Sequence, residues 1–166
     1  MKKLLLAAVA LSAFATPALA DPQASWNVTG TVAAQCGAIA GNNTDLAFGS
    51  LNINATDGTL AANGSKSTTS QDVYCNGGSS TITVAATPMT NQTNTSAEDS
   101  NFTGTINYTT DVNFAGSHFG VGATQSLGAK AGTLVVTASN LTANNSKRPY
   151  AGDYQGTVTV TLTPGV

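Results

Sequence analysis

From Gln155 to Thr163 the chain alternates strictly, with Val158, Val160 and Leu162 on one side and Thr157, Thr159, Thr161 and Thr163 on the other. A period of two places successive side chains on opposite faces of a strand, so this segment predicts a strand with one buried and one wet face. The same phase runs through Trp26 to Ala34, where Trp26, Val28, Gly30, Val32 and Ala34 share a face. Between these ends, shorter apolar runs predict strands over Leu46–Ile53, Asp72–Cys75, Thr81–Thr87, Phe102–Val112 and Thr133–Ala138, with a short one near His118–Val121, seven or eight in all.

The runs are separated by turn chemistry: Gly41-Asn42-Asn43, Thr56-Asp57-Gly58, Ala62-Asn63-Gly64, Asn76-Gly77-Gly78 and Ala143-Asn144-Asn145. Asn, Asp and Gly tolerate the positive φ that tight turns demand. Thr90 to Ser100 is the most polar stretch and carries Glu98-Asp99, which predicts an exposed loop. Short alternating strands between such turns define an all-β sandwich or barrel.

The first twenty residues read differently. Lys2 and Lys3 precede an apolar run from Leu4 to Phe14, followed by Pro17 and the small-residue site Ala18-Leu19-Ala20, the pattern of a secretory signal. That run is too short to span a bilayer. Residues 1–20 are therefore expected to be removed, leaving a chain that begins at Asp21.

Composition then narrows the chemistry. Of the remaining 146 residues, 25 are Thr, 17 Gly, 15 Asn and 13 Ser, a mixture that disfavours long helices. Four basic residues, Lys66, Lys130, Lys147 and Arg148, face eight acidic ones, for a formal charge of −4. No basic patch is available for nucleic acid, and no second apolar stretch approaches membrane-spanning length, so neither nucleic-acid binding nor membrane insertion is expected.

Cys36 and Cys75 are the only cysteines. An even pair in an exported chain predicts a disulfide. Free thiols or half a metal site lack support, because one histidine, His118, and no C-x-x-C leave no ligand set; no metal or cofactor is expected.

Catalysis has little to work with. Gly116-Ser117-His118-Phe119-Gly120 resembles a nucleophile elbow only superficially, and Asn52, Asn54 and Asp57-Gly58 only faintly suggest a calcium loop. The carboxylates at 45, 57, 72, 98, 99, 111 and 153 lie mostly in turn contexts, with no two marked as facing each other across a cleft. Tyr150 and Tyr154 flank Gly152-Asp153; packing at the entry to the final strand outweighs a sugar-stacking platform. The sequons at Asn27, Asn91, Asn101 and Asn140 are what this composition produces by chance. No catalytic residue is assigned, and no enzyme is expected.

The order of features carries a resemblance. An alternating N-terminal segment runs into Cys36, Leu46-Ala47-Phe48-Gly49-Ser50-Leu51 follows, then a strand ending at Cys75, then Ile106-Asn107-Tyr108. Tyr150-Ala151-Gly152-Asp153-Tyr154 then leads into Gly156-Thr157-Val158-Thr159-Val160-Thr161-Leu162. In this the chain resembles the spore coat protein U family, which includes the pilin subunits of archaic chaperone-usher pili of Gram-negative bacteria. It departs from relatives in the Asn/Thr-rich stretch between Thr87 and Phe102 and in the residues after Tyr108.

The resemblance implies an immunoglobulin-like β-sandwich over residues 35–166 that lacks a strand, and an N-terminal donor strand over residues 21–34 with Trp26, Val28, Gly30 and Val32 along its apolar face. It further implies a periplasmic chaperone, an outer-membrane usher, and neighbouring copies of this chain or related pilins as partners. The function so implied is a surface fibre for adhesion and biofilm formation, built by donor-strand exchange outside the cell. Residues 25–34 could equally complete the chain's own sandwich, because a strand folded inward needs the same alternation. The chain would then be a monomeric secreted module that binds a glycan or protein through its loops.

Overall fold

The computed structural model describes residues 26–40 and 46–166. The expected signal over 1–20 and the turn at 41–43 lie outside them, as does Asp45. Internal contacts divide the chain into residues 1–32 and 33–166. In the first unit, residues 26–32 form no strand, and Trp26, Val28 and Val32 are 82, 97 and 85% exposed. The alternation over Trp26–Ala34 forms no strand in this structure.

Among the described residues all strands lie in the second unit: β1 (Cys36–Ala40), β2 (Lys66–Ser67), β3 (Gln71–Cys75), β4 (Thr81–Ala86), β5 (Met89–Asn91), β6 (Phe102–Thr103), β7 (Thr105–Phe114), β8 (Ser117–Gly120), β9 (Gln125–Ser126), β10 (Lys130–Ala143), β11 (Arg148–Pro149), β12 (Tyr154–Gln155) and β13 (Val158–Thr163). A larger sheet runs β1-β3-β10-β7-β5-β12, with β2 paired to β10 and β8 to β7; a smaller one runs β13-β4-β9. β6 and β11 form a separate parallel pair.

The two sheets enclose one core. Val73, Val112, Phe114, Leu134 and Val136 come from the larger sheet and Ile82 and Val84 from the smaller, each on the alternate positions that period two assigns to one face. The architecture is an all-β sandwich. Long β10 stays paired with β7 through a register shift between Ser139 and Thr142, where Asn140 takes φ 52°, a left-handed conformation that asparagine tolerates.

Three sequence expectations are corrected. Leu46–Ile53 forms no strand and makes only the single bridge Ile53 to Leu60; its apolar residues cover the core from a loop, and Leu46 packs against the core cluster. The polar stretch 90–100 is the expected exposed loop from Gln92 onward, but it begins inside β5, where Asn91 is buried because its amide satisfies backbone groups. The last alternating run divides at Gly156 into β12 and β13, which belong to different sheets. A Cβ at Gly156 would stand 2.8 Å from the Thr87 carbonyl oxygen, so the crossing between sheets requires glycine.

Candidate functional site

β13 is an edge strand. It pairs with β4 from Val158 opposite Ala86 to Thr163 opposite Thr81, and among the described residues no strand pairs with its other edge. The neighbouring inner row of β4 is fully covered, with Ile82 and Val84 at 1 and 2% exposure. The inner row of β13, Val158, Val160 and Leu162, is only half-buried. A row of apolar side chains half-covered beside a fully covered row is what an edge strand shows, with one side of its backbone unpaired.

Beside that edge runs a groove of about 490 Å³. Val158 and Val160 form one wall, and Leu134, Val136 and Ala138 of β10 face them from the larger sheet. Leu46, Phe48 and Met89 lie where this groove adjoins a second hollow of about 810 Å³, lined also by Ile106 and by the residues from Pro149 to Tyr154. Backbone groups on the free edge together with alternating apolar contacts are the requirements for binding an added strand.

Tyr108 holds the start of this edge. From β7 it reaches across the sandwich, and its hydroxyl lies 2.8 Å from the Thr87 carbonyl oxygen and 3.0 Å from that of Thr157. Burial raises its pKa above the ordinary value of 10.0, so the phenol remains a donor at neutral pH. Thr87 and Thr157 are bonded to each other as well, through the Thr87 N–H to the Thr157 carbonyl and the Thr157 N–H to the Thr87 hydroxyl.

At the other end of the sequence-assigned residues, Cys36 and Cys75 stand opposite each other as register partners of β1 and β3 and form a disulfide. Just before it, Asn76 Oδ1 accepts the Gln35 N–H, and its Nδ2 donates to the Ala33 carbonyl. The chain after residue 32 is thus tied to β3 by covalent and hydrogen bonds. Gly30 has nothing within 4 Å of where a Cβ would stand.

The remaining candidate chemistry is dispersed. His118 Nδ1 lies 2.9 Å from Asp111 Oδ2 in an exposed pair, while Ser117 Oγ accepts from Lys130 instead of from the histidine. Among the described residues no three His, Cys, Asp or Glu side chains gather as a metal site would need. Asp57 accepts from the Thr59 hydroxyl and N–H, which lowers its pKa and builds a turn. No helix among the described residues is long and apolar enough to cross a membrane.

The two tyrosines near the final strand separate. Tyr154 donates to the Tyr150 carbonyl and is half-buried, whereas Tyr150 stacks on Phe102 with ring centroids 5.4 Å apart. Sequence reasoning singled out Tyr150 but missed Phe102, because the contact depends on the parallel pairing of β6 with β11.

No protein-family model matches the chain, and no curated protein matches it. Among solved structures it is similar to one described as a chaperone–tip adhesin complex vital for synergistic activation of CFA/I fimbriae biogenesis, with a TM-score of 0.45 and 18% identity. That match covers 80% of this chain and 42% of the other, so the chain spans less than half of that protein's length. Similarity of this degree assigns neither a function nor a partner to the chain.

Proposed function

We propose that this chain is an exported, pilin-like structural subunit that polymerises by donor-strand exchange into surface fibres for adhesion and biofilm formation. The observation that carries the reading is the half-covered apolar row of β13 beside an open groove. The same chain bears an alternating apolar segment, Trp26, Val28 and Val32, that is exposed and unpaired to any strand. Groove and segment are complementary in chemistry: each lacks what the other supplies.

The energetics favour exchange. Burying three such side chains contributes roughly 5 to 9 kcal/mol at about 1.5 to 3 each, before ladder hydrogen bonds are counted. That is comparable with the whole net stability of a typical domain. A subunit with the groove empty exposes an unpaired edge and is prone to aggregate, which gives a periplasmic chaperone its role and an outer-membrane usher a substrate. The disulfide suits the oxidising compartments on that route.

The test is to produce the chain in a periplasm and run it unheated and heated on an SDS gel, beside a version lacking residues 21–34. The expected result is a heat-sensitive ladder that vanishes with the deletion. A stable monomer from the full chain would overturn the reading and favour a self-completed module that binds through its loops.

A further inference from the structure

An aromatic ring is displayed at the end of the sandwich where β6 and β11 pair. Phe102 is 37% exposed, and Tyr150 covers one of its faces at 5.4 Å and 17° between planes. The pair is held rigidly. The Arg148 N–H donates to the Asn101 carbonyl and the Tyr150 N–H to the Thr103 carbonyl, while the Tyr150 hydroxyl donates to the Ala97 carbonyl. Asp99 Oδ1 accepts the N–H groups of both Asn101 and Phe102. Those bonds hold the Asp99 carboxyl below its ordinary pKa, so it is an acceptor at neutral pH.

The backbone on both sides of the ring is fixed by these bonds and the ring itself is stacked on Tyr150, and an ordered surface loses less entropy when it binds. Its surroundings are polar: Asp99, Asn101 and, beside Glu98 at 3.7 Å, Lys147. The second Asp99 oxygen has no hydrogen-bond partner among the described residues. One apolar ring rimmed by hydrogen-bonding groups is too small and too polar for a stable protein interface, which buries about 800 Å² on each partner. It matches a sugar ring, whose C–H face carries partial positive charge toward an aromatic face and whose hydroxyls donate to carboxylate and amide oxygens.

We propose that the Phe102–Tyr150 stack, with the Asp99 carboxylate and the Asn101 amide at its rim, is a binding platform for one pyranose ring of a glycan. Tyr150 lines the hollow that adjoins the groove beside β13, but Phe102 lines neither, and binding at its ring does not require strand exchange. A fibre would repeat it once per subunit, so that contacts weak individually become strong together.

Saturation-transfer NMR tests this on the full mature chain, with methyl β-galactopyranoside and N,N′-diacetylchitobiose as probes. The expected result is transfer to the protons of one ring face of at least one probe. Phe102→Ala should weaken binding about tenfold, a loss usual for an aromatic at the centre of a contact. Phe102→Trp, which keeps the aromatic face, should retain binding and shows that the loss is not one of folding. Asp99→Asn should weaken it severalfold. Absence of transfer to both probes at about 10 mM, a concentration that occupies most of a site with a Kd of about 1 mM, would overturn the proposal. So would transfer unchanged in Phe102→Ala, or lost in Phe102→Trp.

Discussion

Tyr108 and Thr157 tie the two sheets together at the mouth of the groove: the hydroxyl on β7 lies 3.0 Å from the carbonyl of the residue that precedes β13. The same hydroxyl is 2.8 Å from the Thr87 carbonyl, so a single polar group anchors both β4 and β13 where they leave the second sheet.

Tyr108→Phe is therefore expected to cost about 1 kcal/mol, the net worth of a protein hydrogen bond, measured by urea denaturation. A pH dependence accompanies it. The folded-state pKa of Tyr108 is raised by burial, and that of Tyr150 by burial and then by the charges of Asp99 and Glu98. A raised pKa contributes stability that is intact below the ordinary value of 10.0 and is lost as pH rises through the folded value, because the unfolded chain ionises first. Alkaline destabilisation should be smaller in Tyr108→Phe than in the parent, as read from midpoints taken below and above pH 10.0. An equal decline would exclude this linkage.

Asn91 and Gly152 occupy one space. A Cβ at 152 would stand 2.5 Å from Asn91 Oδ1, and Gly152 takes φ 146°, a conformation close to glycine-only. Asn91 accepts the N–H groups of Thr93 and Asn94 and donates to the carbonyls of Tyr150 and Ala151, so it joins two loops. Gly152→Ala should cost about 3 kcal/mol from clash and backbone strain together. In an Asn91→Ala background the clash is gone, and the cost should fall to about 1 to 2 kcal/mol. A double-mutant cycle in urea measures the coupling, and additivity would contradict it.

The disulfide closes a loop with a sequence separation of 39. On the chain-entropy model, replacing both cysteines by alanine should cost about 4 kcal/mol, a large share of a domain's 5 to 15. Comparing oxidised parent and double-alanine variant in urea gives the figure. A difference under about 1 kcal/mol would mean that the unfolded chain is already constrained in other ways.

If strand exchange operates, donor and acceptor can be disabled separately. Val28→Asp with Val32→Asp spoils the donor and should abolish polymer while sparing export and the disulfide. Val160→Asp places a charge in the groove wall, where burying it is costly, and spoils the acceptor. Each variant alone should stay monomeric, and mixing the two should yield pairs that grow no further. Long ladders from either variant on an unheated gel would show that assembly uses another surface.

The sequence by itself determined the class of fold. Period-two alternation with glycine and asparagine turns is a local property, and it located the strands around Thr81, Phe102, Thr133 and Val158 because those residues carry their own facing information. The pairing of Cys36 with Cys75 followed from count and compartment. Tertiary structure decided which alternating rows are covered. Val158, Val160 and Leu162 show the same pattern as Ile82 and Val84, yet one row is half-exposed and the other sealed, because coverage depends on the neighbouring strand. Likewise, nothing local distinguishes Leu46–Ile53 from a strand; it remains a loop because its only pairing is a single bridge. Phe102 and Tyr150 lie 48 positions apart, and only the parallel pairing of β6 with β11 makes them one surface.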